Sequence, residues 1–369
     1  MFPYLKADEN QISDIINNTT SCQVEQVLSS ERPDFQGFLS LLSPVAADFL
    51  EAMRQKAQVN RLRHFGRTVS FYAPLYISNK CVNSCKYCDF NINHKFDRKD
   101  LSLDDIMLEA QALKSQGIDS LLLVAGEDPK GVTIEYLEAT AKILKKLFSY
   151  ISIEVAPLEE SDYKRLFAAG IDGVTLYQET YNQPLYADLH PAGPKRDYMY
   201  RLSTHLRAGK AGMRNLGMGF LLGLYDWRLE AASLAAHSIY VRKHCWRSKI
   251  QYSFPRITPI EDQFEVPLPV NEKELEQLML AFRITFPESD MTVSTRETAE
   301  FRNRIIQTCA ANMSAGSKVT PGGYAIEADK DVGQFSLNDN RSVSEVKRDI
   351  ESLDYEPVSK YWDKLFVCD

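Results

Sequence analysis

The sequence lacks a basic N-terminal region followed by an apolar stretch and a small-residue cleavage site, so Met1 to Asn10 does not read as a secretory signal. No apolar run approaches the roughly 18 to 20 residues that span a bilayer, which argues against a membrane protein and for a cytoplasmic one. Blocks of five or more basic residues are missing from a chain whose net charge is -7. That leaves no electrostatic footprint for nucleic acid or an anionic membrane, and a small molecule or a protein partner fits better. Internal repeats and low-complexity tracts are absent. A disulfide framework is also disfavoured. The seven cysteines are odd in number, and Cys22, Cys245, Cys309 and Cys368 lie far apart in a long chain that needs no such staples.

What is present is enough apolar residue, 44% of 369, to bury a large core. From about residue 68 short β-branched or leucine-rich runs alternate with longer amphipathic stretches, the pattern of repeated βα units. Eight strands are predicted, at 69–77, 120–125, 152–155, 173–177, 217–221, 250–254, 291–294 and 311–314. Helices are predicted at 102–116, 133–148, 160–169, 195–211, 226–242, 272–282 and 297–308. Ser102 and Asp105 form a variant capping box ahead of Ile106. The expectation is an α/β fold, a (β/α)8 TIM-type barrel over 68–330, with active-site loops at the C-terminal ends of its strands. An open doubly wound sheet is the alternative. Residues 1–67 read as an N-terminal helical extension, with helices near 35–42 and 46–58, and 331–369 as a short C-terminal helical tail centred on 343–353.

The three remaining cysteines fall in one loop, Cys81-Val-Asn-Ser-Cys85-Lys-Tyr-Cys88, directly after the first predicted strand. Three closely spaced thiolates can bind three irons of a [4Fe–4S] cubane and leave the fourth open, whereas electron-transfer clusters are usually closed by four cysteines. The competing reading is structural zinc in a non-catalytic binding protein, with His94 as fourth ligand.

The C-x3-C-x-aromatic-C spacing after the first strand of a barrel resembles the signature of the radical S-adenosylmethionine superfamily. That resemblance implies a [4Fe–4S] cluster on Cys81, Cys85 and Cys88, and S-adenosylmethionine chelated to the open iron, with Tyr87 beside its adenine. Val124-Ala125-Gly126-Glu127 stands where the superfamily has Gly-Gly-Glu, with Ala125 in place of the first glycine. Gly126 and Glu127 are therefore candidates for the methionine moiety. Arg201-Leu202, followed by Ala211-Gly212, is similar to the helix that supplies an arginine to the cofactor carboxylate. Gln178 and Glu179 are candidates for the ribose hydroxyls, with Glu154 as a competitor.

Five further strings extend the resemblance from about residue 30 onward. They are Tyr177-Gln178-Glu179-Thr180-Tyr181, Leu222 to Arg228, Ser294-Thr295-Arg296-Glu297, Met313 to Ser317, and Pro321-Gly322-Gly323-Tyr324. Together they resemble the radical aromatic amino acid lyases, and most of all the branch that cleaves L-tyrosine for the thiazole of thiamine. The relatives that cleave tyrosine in hydrogenase maturation or that cleave tryptophan are alternatives. The former carries a further cysteine trio, whereas Cys309 and Cys368 stand alone here. The resemblance implies reduction of the cofactor by a flavodoxin-like or ferredoxin-like donor, hydrogen abstraction from the substrate amine, and loss of 4-cresol and 2-iminoacetate. It also implies a thiazole synthase subunit as partner. Arg296, just past the seventh strand, is the candidate anchor for the substrate carboxylate, aided by Ser314 and Ser317. His190 is a candidate for proton transfer to the phenol, and Asp226-Trp227-Arg228 most simply starts a helix with an N-terminal acid, with Asp226 and Arg228 at the barrel mouth. His64, His205, His237 and His244 read as ordinary helix or linker residues.

Overall fold

The computed structural model describes residues 9–258, 264–327 and 333–359, so Cys368 lies outside the described residues. Eight strands close into an all-parallel barrel: β1 (Thr68–Ser78), β2 (Ser120–Ala125), β3 (Tyr150–Glu154), β4 (Gly173–Tyr177), β5 (Asn215–Gly219), β6 (Lys249–Ser253), β7 (Asp290–Val293) and β8 (Asn312–Ser314). Closure is made by β1, which pairs with β2 over Ala73–Ser78 and with β8 over Ser70–Tyr72. The open-sheet alternative is thereby ruled out.

The alternation in β1 shows why this sequence makes a barrel wall. Val69, Phe71, Ala73, Leu75 and Ile77 are fully buried against the surrounding helices. Tyr72, Pro74 and Tyr76 point the other way, into the lumen, as a period of two requires. The lower lumen is polar. Asn215 donates to the Tyr150 hydroxyl at 3.0 Å and to Gln251 at 3.1 Å. This polar start explains why β5 begins two residues earlier than its apolar run predicts. Phe220 to Leu222 leave the ladder, and the Leu222 amide donates to the Pro255 carbonyl.

The capping box at Ser102 forms in both directions, through Ser102 Oγ to the Asp105 amide and Asp105 Oδ2 to the Ser102 amide, each 3.1 Å. The single helix predicted over 195–211 is instead three short pieces, Pro194–Arg196, Tyr198–Leu202 and Thr204–Lys210. Asp197 caps a new start by accepting from the Tyr200 amide, and Ser203 bonds back to Met199. Side chains of this type compete with the helical ladder. A helix not predicted, Gln183–Leu189, begins on Asn182 with a proline in its first turn.

Before the barrel lie helices Glu9–Asn17, Ser21–Ser29, Phe35–Leu41 and Leu50–Phe65. After it, residues 333–339 cross the barrel mouth as a strap. Gln334 N bonds to Val319 O, Ser336 N to Thr258 O, and Asn338 N to Thr295 O. The helix Val343–Ser352 and a ninth strand, β9 (Glu356–Val358), follow, and β9 joins the start of β1 in parallel. No helix among the described residues is long and apolar enough to cross a membrane.

Candidate active site

Cys81, Cys85 and Cys88 are free thiols on the loop that leaves β1 at the C-terminal mouth of the barrel. The loop is stitched down on two sides. Toward β2, Val82 N donates to Glu127 O at 2.9 Å and Asn83 Nδ2 to Glu127 Oε2 at 2.6 Å. Toward the segment after β4, Lys86 N donates to Leu189 O and Lys195 N to Asn83 Oδ1. The Arg98 guanidinium wraps the far end by donating to the carbonyls of Asn79, Phe90, Asn91 and His94. Gly126 is needed for this closeness, because a methyl group there would overlap the Lys80 carbonyl and press on Cys81 Cβ at 3.2 Å. Gly126 and Glu127 thus hold the cysteine loop from below.

Burial, reinforced by the neighbouring thiols, pushes Cys88 up to about 12 and raises Cys85 as well. No three His, Cys, Asp or Glu side chains among the described residues are placed to hold one metal ion. Ligands of a single zinc would sit about 3.8 Å apart, given Zn–S bonds near 2.3 Å. Thiolates that each bind a different iron of a cubane need no such convergence. His94 directs Nδ1 at the Asp89 carbonyl, 3.1 Å away, and does not converge with the three cysteines on one point. The donor set fits the open cubane and not the zinc site.

Two adjoining compartments fill the mouth. The first is lined by Tyr87, Cys88, Glu179, Lys195, Leu221 and Ile257. The second lies deeper over β7, β8 and β1, and is lined by Tyr72, Tyr76, Ser294, Thr295, Ser314 and Ser317. Glu154, Tyr177, Pro255, Arg296, Gln334 and Phe335 form the boundary and line both.

In the first compartment the charges around Glu179 are answered. Glu179 accepts from Lys195 at 2.7 Å and from Arg201 at 3.0 Å, and Arg201 Nε donates to Tyr177 O at 2.7 Å. Burial opposes a charged Glu179, yet Lys195 and Arg201 together hold its carboxyl below the usual range. Glu179 also has a left-handed backbone, φ +70°, a conformation that costs a side-chain-bearing residue about 1–2 kcal/mol. Glu230 fixes the loop that follows, through the Tyr181 amide at 2.8 Å and the Thr180 hydroxyl. Gln178, beside it, is buried with Nε2 unpartnered among the described residues.

Tyr87 donates its hydroxyl to His190 at 2.7 Å. His190 Nδ1 lies 2.7 Å from the Tyr186 carbonyl, so Nδ1 carries the proton and Nε2 accepts. Burial, then the Lys195 charge, drops His190 to about 3. It is a neutral brace for Tyr87.

The second compartment is different. Arg296 donates to the Arg256 carbonyl at 3.2 Å, its guanidinium lies 3.4 Å from the centre of the Phe335 ring, and among the described residues no carboxylate comes within ion-pairing distance. The structural acid next in sequence, Glu297, pairs instead with Arg256 at 3.0 Å. Ser317 is buried with its hydroxyl unpartnered among the described residues, whereas Ser314 Oγ accepts from the Thr295 amide at 3.1 Å. Glu154, at the end of β3, is raised to about 7 by burial and by Glu179, against Arg296, Arg201 and Lys195.

Asp226 caps the helix Trp227–His244 by accepting from the Arg228 amide, and Arg228 Nε donates to the Leu42 carbonyl. Both are thus used in packing. The Pro321–Tyr324 turn is anchored by Glu109, whose carboxylate accepts the amides of Tyr324, Ala325 and Ile326 at 2.7 to 3.0 Å.

Lys195, Gln334 and Phe335 were not candidates from sequence. The break at Asp197 that turns Lys195 inward has a cap residue as its only local signal. The strap that carries Gln334 and Phe335 reads as polar tail.

Residues 75–235 match the radical SAM superfamily, and 253–356 match the Biotin and Thiamin Synthesis associated domain. The chain is 40% identical to the 2-iminoacetate synthases of Salmonella typhimurium and Escherichia coli over 349 residues, covering 94% of this chain and 92% of each relative. It is also similar to the solved structure of the FeFe-hydrogenase maturase HydG from Carboxydothermus hydrogenoformans, with a TM-score of 0.88 and 28% identity over 97% of this chain and 85% of that one. The cysteine loop, the closed barrel and this near full-length similarity have one conclusion: the chain belongs to the 2-iminoacetate synthase family of the radical S-adenosylmethionine superfamily.

Proposed function

We propose that the chain cleaves the Cα–Cβ bond of L-tyrosine to give 2-iminoacetate and 4-cresol, with S-adenosylmethionine converted to methionine and 5'-deoxyadenosine. The observation that carries this reading is Arg296, a half-buried cation that pairs with no carboxylate among the described residues, in a compartment that opens onto the cysteine loop. An amino acid carboxylate answers it bidentately. The names of the two bacterial relatives support the product, 2-iminoacetate.

Cys81, Cys85 and Cys88 would hold the [4Fe–4S] cluster. When bound, the cluster and S-adenosylmethionine supply a primary carbon radical that takes a hydrogen atom from the substrate amine. The rest of the work belongs to side chains. Tyr87, braced by His190, presents its ring to the adenine. Gln178 and Glu179 face the ribose, and Lys195 and Arg201 keep Glu179 ionised. Arg296, with Ser314 and Ser317, takes the substrate carboxylate. Phe335 and Gln334 roof both compartments and exclude water, and Gln334 is fixed by the Tyr76 hydroxyl at 2.5 Å. Dryness and close placement are what a radical step needs to avoid attacking solvent or protein.

The division into a helical extension (1–67), barrel (68–330) and tail (331–369) goes with this reading, the tail serving as part of the roof. A cytoplasmic location, a flavodoxin-like or ferredoxin-like donor and a thiazole synthase acceptor complete it, since 2-iminoacetate hydrolyses in water and favours a docked acceptor. Product analysis with tyrosine and tryptophan side by side, under anaerobic conditions with a reductant, tests the assignment. 4-Cresol from tyrosine alone is expected. Deoxyadenosine without 4-cresol, or an indolic product in its place, would reject tyrosine as the substrate.

A further inference from the structure

We infer that Glu154 receives the α-ammonium of the substrate and takes a proton from it, so that the amine meets the radical uncharged. This rests on the lyase reading above.

Position comes first. Glu154 ends β3 and is the one acidic residue that lines both compartments, so it stands where a substrate in one would meet a cofactor in the other. Availability comes second. The buried carboxylates at or near the mouth are engaged: Glu179 by Lys195 and Arg201, Glu230 by Thr180 and Tyr181, Glu297 by Arg256, Glu109 by three amides. Glu154 has no hydrogen bond or ion pair among the described residues. Glu154 is half-buried at the end of β3, and a carboxylate so placed without a protein partner marks a place where a ligand supplies one.

Complementarity comes third. A zwitterionic amino acid needs one cation and one anion set apart across a shared space. Arg296 and Glu154 face the same compartment, yet they are not within ion-pairing distance of each other. The substrate would bridge them, with its carboxylate on Arg296 and its ammonium on Glu154.

The chemistry requires such a group. Removing a hydrogen atom from an ammonium would leave a nitrogen-centred radical that still bears positive charge, in a dry site. Transfer of one proton beforehand, ammonium plus carboxylate to amine plus carboxylic acid, balances without oxidant or reductant. The surroundings suit a proton acceptor. Glu179, beyond β4, repels a charge on Glu154, while Arg296, beyond β7, and Lys195 and Arg201, on the segment after β4, favour it. Tyr72 and Tyr76 of β1 and Tyr177 of β4 face it with un-ionised phenols. Burial and repulsion prevail, and the carboxyl titrates nearer to an amine than an ordinary glutamate does.

The test compares cluster-loaded wild-type and Glu154→Gln proteins in equilibrium binding of L-tyrosine, of 3-(4-hydroxyphenyl)propanoate, which lacks the amine, and of S-adenosylmethionine. Glutamine keeps the size and can still bond a hydroxyl. The expected result is a loss of about tenfold or more in tyrosine affinity and about a hundredfold in 4-cresol formation, with the amine-free acid and S-adenosylmethionine bound within about twofold of wild type. Unchanged tyrosine affinity and turnover would overturn the assignment alone. Weakened S-adenosylmethionine binding with tyrosine affinity intact would overturn it in favour of a ribose contact. A wild-type protein that turns over no tyrosine would overturn the lyase reading and this assignment with it.

Discussion

The two compartments of the barrel mouth are built on opposite principles. Around Glu179 the protein answers its own charges: two cations meet one carboxylate, and Glu230 ties down the loop between them. Around Arg296 it does not. Among the described residues, a half-buried guanidinium without an acid, a serine hydroxyl without a partner and a carboxyl without a bond share one space. A self-satisfied site is rigid before its ligand arrives, and an unsatisfied one gives up stability to gain affinity. On the reading proposed above, the first takes the cofactor, whose position must not vary, and the second the substrate, which completes it.

Replacement of Cys81, Cys85 or Cys88 by alanine has the largest expected effect, because it removes what both sides serve. Iron and sulfide content after anaerobic reconstitution should fall to background, and deoxyadenosine formation should cease.

Glu179→Gln breaks the satisfied side. It leaves Lys195 and Arg201 buried against each other, and removing one partner of a buried pair costs about 3–5 kcal/mol. Denaturant unfolding should show the loss. Arg296→Gln should do the reverse, leaving stability equal or raised, because it deletes a half-buried charge that has no carboxylate partner among the described residues. Tyrosine affinity should drop by about a hundredfold, the worth of a charge-assisted pair of hydrogen bonds. A fall in stability for Arg296→Gln comparable to that of Glu179→Gln would erase the distinction.

Glu230 sharpens the comparison through pH. Burial raises its carboxyl from 4.5 to about 8, so between those values the folded chain holds a proton that the unfolded chain has released. Stability from the protonated form is full below pH 4.5 and is lost progressively as pH rises toward 8, on the order of 5 kcal/mol. Glu179 has the opposite sign. Its lowered carboxyl contributes above its unfolded value, and that contribution is lost in acid. Unfolding curves at several pH values should show a shallower alkaline decline for Glu230→Gln than for the parent. The smallest effect expected is that of Asn338→Ala, which removes the strap's 2.7 Å bond to the Arg296 carbonyl. It should cost about 1 kcal/mol, or some fivefold in tyrosine KM.

The parts of this arrangement legible in the sequence are those written locally. Alternation in β1 and the apolar runs of the other strands give the barrel, and the cysteine spacing gives the cluster loop. Arg296, Ser314 and Ser317 follow from their places just past β7 and β8. Lys195 was hidden because a helix was expected to run from it to residue 211, and only the competing caps at Asp197 and Ser203 break that helix. Gln334 and Phe335 were hidden because a polar strap carries no periodicity. Its course over the mouth is set by single bonds to Val319, Thr258 and Thr295, far away in sequence. The state of Glu154 was not readable either. Its isolation follows from where Lys195, Arg201 and Arg256 have gone, to Glu179 and Glu297.

The most direct measurement of the account is an anaerobic crystal structure of the cluster-loaded protein with both S-adenosylmethionine and L-tyrosine bound. The tyrosine carboxylate should lie on Arg296 with the amine toward Glu154, and the adenosine beside Tyr87 and Glu179. A methionyl carboxylate on Arg296, or tyrosine bound outside the space between Arg296 and Glu154, would contradict it.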